Sequence, residues 1–142
     1  MGVLYTIAPL DEELRSWLVS EGFVGLPSVH GRWPTPREVR DALARLPGIQ
    51  VTWDPAATPP EADLATADGQ WTALRLTHHT SDETPCQLYF SKGSQDLITS
   101  AILQLAEVTG PLVIYPDTGS DIQVVFGGQV AADPSEQSRS DA

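Results

Sequence analysis

The sequence predicts an α+β fold: a single domain with one mostly antiparallel sheet and helices on one of its faces. Three observations predict it. Short apolar runs such as VLYTIAP (3–9), IQVTW (49–53) and CQLYF (86–90) have strand length and strand composition. Three other stretches place apolar residues at helical spacing behind N-capping residues. The strands also come in pairs that can close as hairpins, rather than singly between helices. The 142 residues, 41% of them hydrophobic, can bury a core without staples.

Each element can be justified in order. Residues 3–9 form the first strand, closed by Pro9. Asp11 caps a helix with Glu12 and Glu13 in its first turn, Leu14, Trp17 and Leu18 on its inner face, and Gly22 as its stop. A loop, GLPSVHGRWP, follows. Thr35-Pro36-Arg37-Glu38 is a capping box with proline at the first helical position, and Val39, Ala42, Leu43 and Leu46 follow at helical spacing to Pro47-Gly48. Residues 49–53 are a strand. DPAATPPEADLATADGQ (54–70), with three prolines and four acids, reads as a flexible acidic loop.

WTALRLTHH (71–79) alternates as a strand should, SDETP turns, and CQLYF pairs back. Ser94 caps the longest helix, whose Leu97, Ile98, Ala101, Ile102, Leu105 and Ala106 form a wide apolar stripe ending at Gly110. PLVIY and IQVVF are the last two strands, joined by PDTGSD. The domain is thus expected over residues 1–126, with a disordered polar tail over 127–142. Each half reads as strand, helical passage and hairpin, which suggests a βαββ duplication.

Net charge is −11 and lopsided. Residues 1–50 carry five arginines against six acids, whereas residues 51–142 carry three basic residues against thirteen acids. Phosphate neutralisation needs clustered Lys and Arg, so nucleic acid is not an expected partner, nor is an anionic membrane surface. A basic protein partner is compatible, and the field would speed its arrival. Cys86 is the single cysteine, so no internal disulfide forms. The first residues lack a basic stretch followed by a long apolar run, and no apolar run has membrane-spanning length. The expectation is a cytoplasmic protein.

Several motifs invite chemical readings. Asp117-Thr118-Gly119-Ser120 matches the signature of retropepsin-like aspartic proteases. The long segment that would build a flap is missing after it, and Pro116 disfavours the strand that would present Asp117. These are also ordinary turn residues, so a hairpin turn is expected. His78 and His79 are strand neighbours that point to opposite faces, and with His30 and Cys86 they do not make spaced zinc pairs. Cys86 inside a strand predicts a buried, inert thiol. Lys92-Gly93-Ser94 lacks the rest of a phosphate loop and reads as a capped helix start. The glycines spell no dinucleotide fingerprint, so no cofactor, metal or catalytic residue is assigned.

The tryptophans and acids remain. Trp17 is expected in the core, and Trp33 lies in a loop between Arg32 and Pro34. Trp53 and Trp71 flank the acidic segment and either pack on each other across the sheet or serve as interface anchors. In the second case Asp54, Glu61, Asp63 and Asp68 supply charge around them, with Asp82 and Glu83 of the next turn beside them.

By its size, acidity, α+β build, lack of catalytic motifs and the FSKG…LAEVTGPLVIYPDTG layout (90–119), the chain resembles the small acidic immunity proteins of bacterial toxin systems. That resemblance implies a non-enzymatic interaction module that binds and blocks a cognate, basic toxin domain in the producing cell. Two βαββ units would also resemble, in fold alone, the gyrase-inhibitor-like effector domains that bind apolar cations between their halves. A third reading is an enzyme using Asp117 and Asp121 with His78 or His79, a set that no spacing singles out.

Overall fold

A computed structural model describes residues 3–57, 60–77, 81 and 83–132. In chain order the elements are β1 (Leu4–Pro9), α1 (Glu12–Ser20), α2 (Pro36–Ala44), β2 (Ile49–Trp53), β3 (Glu61–Thr66), β4 (Trp71–Thr77), β5 (Gln87–Ser91), α3 (Gln95–Thr109), β6 (Leu112–Pro116), β7 (Gln123–Phe126) and β8 (Gln129–Ala132). All eight strands join one antiparallel sheet in the order β2-β3-β4-β5-β1-β6-β7-β8. The expected α+β antiparallel architecture is therefore present.

The helices start where side chains can satisfy their first N–H groups. Asp11 accepts from Leu14 N–H at 2.7 Å, and Ser94 from Leu97 N–H at 3.3 Å. At α2 the capping box is complete: Thr35 accepts from Glu38 N–H and Glu38 accepts from Thr35 N–H. α3 then lays Leu97, Ile98, Ala101, Ile102 and Leu105 onto the sheet, all buried. Each large side chain among them contributes roughly 1.5–3 kcal/mol by leaving water.

Alternation along the strands divides the core in two. On one face Ile7, Leu64, Leu74, Leu76, Leu88, Phe90, Leu112 and Ile114 pack against α2 and α3. On the other, Val113 and Val124 stand opposite each other in register and pack with Leu18 of α1, Phe23 and Leu26. The expectation that all helices share one face is corrected on this point. α1 follows a strand near the middle of the sheet, and its Leu14 and Leu18 join a cluster with residues of β6, β7 and β8 on the opposite side. Among the described residues, no helix lies over the rest of that opposite face.

Two strands lie where loops were expected. β3 occupies part of the acidic segment, with Ala62 and Leu64 buried and Glu61 and Asp63 turned outward. Its alternation is short and uses alanine, a weak strand former, so β2 and β4 on either side decide its conformation. β8 occupies residues 129–132 of the expected tail; it pairs with β7 across Gly127-Gly128, both at positive φ as a tight two-residue hairpin requires. Residues 133–142 lie outside the described residues. The two halves also differ from repeats in strand order: β2-β3-β4 runs from the sheet edge inward, and β6-β7-β8 runs from the centre outward. A duplicated βαββ arrangement would place both meanders in the same sense.

Candidate functional site

The uncovered sheet face can be built from the strand register. In one row Glu61 stands opposite Arg75, Arg75 opposite Tyr89, Tyr89 opposite Thr6, and Thr6 opposite Tyr115. In the next row Thr52, Asp63, Ala73, Ser91 and Leu4 follow one another across five strands. A third row holds Gln50, Ala65 and Trp71. All these side chains point away from α2 and α3, because their strand neighbours are the core residues of the other face.

This face is aromatic and open. Trp71 is 41% exposed, Tyr115 37% and Leu4 38%. Trp17 is 39% exposed at the margin of α1, its ring 6.2 Å from that of Tyr115. The expectation that Trp17 is core is therefore corrected: Leu14 and Leu18 turn inward and leave Trp17 at the rim. A local clamp places Trp71. The corner Lys92-Gly93-Ser94 folds onto β4, where Ser94 N–H donates to Trp71 C=O at 3.0 Å and the Thr72 hydroxyl to Lys92 C=O at 2.9 Å. Gly93 has φ 83°, and a Cβ there would strike the Trp71 carbonyl.

The sequence-predicted residues do not form one site. Glu61, Asp63 and Trp71 share the open face. Asp54 adjoins it, its N–H donating to Glu61 C=O at 2.9 Å while its carboxylate accepts from Ala56 N–H at 2.9 Å. Trp53 faces the other way: it stands opposite Ala62, a core residue, and the Arg40 guanidinium lies 5.3 Å from its ring centroid. Trp53 and Trp71 consequently cannot pack on each other. Arg40 and Trp53 line a hollow of about 290 Å³ with Leu43, Ala44, Ile49 and Val51.

Asp68 sits in the β3–β4 turn and accepts from the Thr66 hydroxyl, which holds its carboxyl below the usual range. Glu83 lies 2.8 Å from the Arg37 Nε, away from the open face. Asp82 lies outside the described residues.

Charge on the open face is partly matched. Glu61 Oε1 is 3.2 Å from Arg75 Nε. The Tyr89 phenol first, and the Glu61 carboxylate second, raise the Arg75 pKa. Asp63 has neither hydrogen bond nor ion pair among the described residues. Tyr89, Tyr115 and Arg75 escape a reading based on acids and tryptophans. The signal was present: in WTALRLT and QLYFS the outward positions of each alternation are Trp71, Ala73, Arg75 and then Gln87, Tyr89, Ser91.

The other motifs resolve into structure. Asp117–Ser120 links β6 to β7 as a turn, with Gly119 at φ 78° and its N–H donating to Pro116 C=O at 3.1 Å. The Cys86 thiol donates to Pro34 C=O at 3.4 Å, and burial, with Glu38 second, pushes it up to about 11. That leaves no thiolate for nucleophilic work at neutral pH. His78 and His79 lie outside the described residues, among which no three His, Cys, Asp or Glu side chains could share a metal ion. Among the described residues, no helix is long and apolar enough to cross a membrane. Asp121, at φ 63°, keeps one buried carboxylate oxygen without a partner. Its charge helps to raise the pKa of Tyr5, after burial.

Comparison with known proteins found no matching family model, no matching curated protein and no matching solved structure.

Proposed function

We propose that this protein is a non-enzymatic interaction module that holds a basic protein partner against its open sheet face. Within that class we propose an immunity role: blocking a cognate toxin domain inside the cell that makes both. One observation carries the reading. Trp71 stands exposed on this face diagonal to Asp63, and Tyr115 with Trp17 stands exposed at the far border of the same face, four strands from Glu61, in a chain of net charge −11. Aromatic anchors ringed by charge are the usual make-up of a protein-binding hot spot, and an acidic field favours a basic partner. The alternative, an apolar cation bound between two halves, has less support. Trp53 and Trp71 stand on opposite faces, and Arg40 already occupies the Trp53 ring.

The test is co-expression with basic toxin domains from the same host. Cells should survive a cognate domain when the wild-type chain is present and die when the chain carries Trp71→Ala with Tyr115→Ala. Equal survival with both chains would remove the open face from the function.

A further inference from the structure

The geometry points to an arginine of the partner as the side chain this face is built to receive, seated between Asp63 and Trp71 over Ala65 and Ala73. The inference rests on the open face being the interaction surface. Two adjacent rows carry the argument. In the first, a carboxylate on β3 (Glu61) faces a guanidinium on β4 (Arg75), which in turn faces a phenol on β5 (Tyr89). In the second, a carboxylate on β3 (Asp63) faces the methyl group of Ala73 on β4, with Ser91 beyond it, and Thr52 on the β2 side. Where the first row has a guanidinium on β4, the second has only a methyl group, which leaves room for a side chain from outside.

Trp71 borders that space, diagonal to Asp63 across the β3–β4 pair, a separation of about 7–8 Å that an aromatic side chain reaches. Ala65, opposite Trp71, keeps the floor low.

The acids around it are already engaged: Glu61 by Arg75, Asp54 by Ala56 N–H and Asp68 by Thr66. Asp63 alone of the described acids in this group has no partner. An exposed carboxylate beside an exposed indole suits a planar guanidinium, which pairs with one and stacks on the other, better than a compact ammonium.

The test is an amide and indole NMR titration of the full chain with a short polyarginine peptide, with polylysine and polycitrulline peptides as comparisons. Asp63, Ala65, Ala73 and the Trp71 indole should shift most. Polyarginine should bind more tightly than polylysine, and polycitrulline should give no shift there. Asp63→Asn should weaken polyarginine binding by about fivefold, as loss of one exposed charge contact with its stacking partner predicts. Ala73→Arg should do the same by filling the space from within, and its melting temperature reports whether it folds. Glu83→Gln should change little.

Shifts spread evenly over the acids, equal binding of polylysine, or unchanged binding by both the Asp63→Asn and Ala73→Arg chains would overturn the inference. Its failure is separable from that of the functional reading. A cognate toxin neutralised equally by wild type and by these two variants removes the arginine site alone. Polyarginine binding at Asp63 in a chain whose open face no toxin needs removes the immunity reading alone.

Discussion

Glu38 shows how much one side chain can be asked to do. Its carboxylate accepts from Thr35 N–H to close the capping box and from both terminal nitrogens of Arg32, at 2.8 and 2.6 Å. The Arg32 hydrogen bond is the main reason its pKa falls from an ordinary 4.5 to about 2. The folded-state value lies below the unfolded one, so this stabilisation is full above about 4.5 and is lost as pH falls towards about 2. Glu38→Gln keeps an acceptor for Thr35 N–H, and so the capping box, but loses the charge that pairs with half-exposed Arg32; it should therefore destabilise the chain by about 1 kcal/mol at neutral pH. Urea melts should show that gap closing as pH falls through this window. A gap of constant size would mean that the contact does not depend on charge. Residue-level features of this kind were legible: Thr35-x-x-Glu38 announces the box without any structure.

Elements decide what the tryptophans do. Trp53 and Trp71 sit at equivalent-looking places in the sequence, each at one end of the acidic segment. The register of β3 sends them to opposite faces, since Trp53 stands opposite Ala62 and Trp71 opposite Ala65, an odd number of residues apart. Trp53→Ala, which removes a half-buried ring against α2, should cost about 2 kcal/mol. Trp71→Ala should change stability by less than about 0.5 kcal/mol, as surface substitutions do. Thermal melts of the two variants check this ordering, and equal losses would contradict the assignment of faces.

The same register could not be read from the sequence, because β3 itself was hidden. Glu-Ala-Asp-Leu-Ala-Thr has one strong apolar residue, and what makes it a strand is the pair of neighbours that satisfy its backbone. β8 was legible, since Gly127-Gly128 between Phe126 and Gln129 spells a two-residue hairpin turn. A chain ending at Phe126 should lose about 1–3 kcal/mol, from four cross-strand pairs, relative to one ending at Ala132. Indistinguishable melts would show β8 to be dispensable.

At the scale of the whole molecule, the fold leaves its sheet asymmetric. α2 and α3 pack on one face, while among the described residues α1 and the loop after it cover the other over β6, β7 and β8. The strands that remain open carry the exposed Trp71 and two carboxylates, and α1 brings Trp17 to their border with Tyr115. The class of fold and the surplus of acid were visible in the sequence. The place where they meet was not, because it follows from which face each helix covers, and α1 departs from the arrangement its position suggested.

The central claim is that this open face binds a basic protein. It is tested most directly by paired affinity capture from the protein's own host. One bait is the full chain, the other the same chain with Asp63→Asn, Trp71→Ala and Tyr115→Ala, matched for folding by circular dichroism. The claim predicts a basic protein recovered in near one-to-one ratio with the first bait and lost with the second. Recovery of the same protein with both baits, or of none with either, would contradict it.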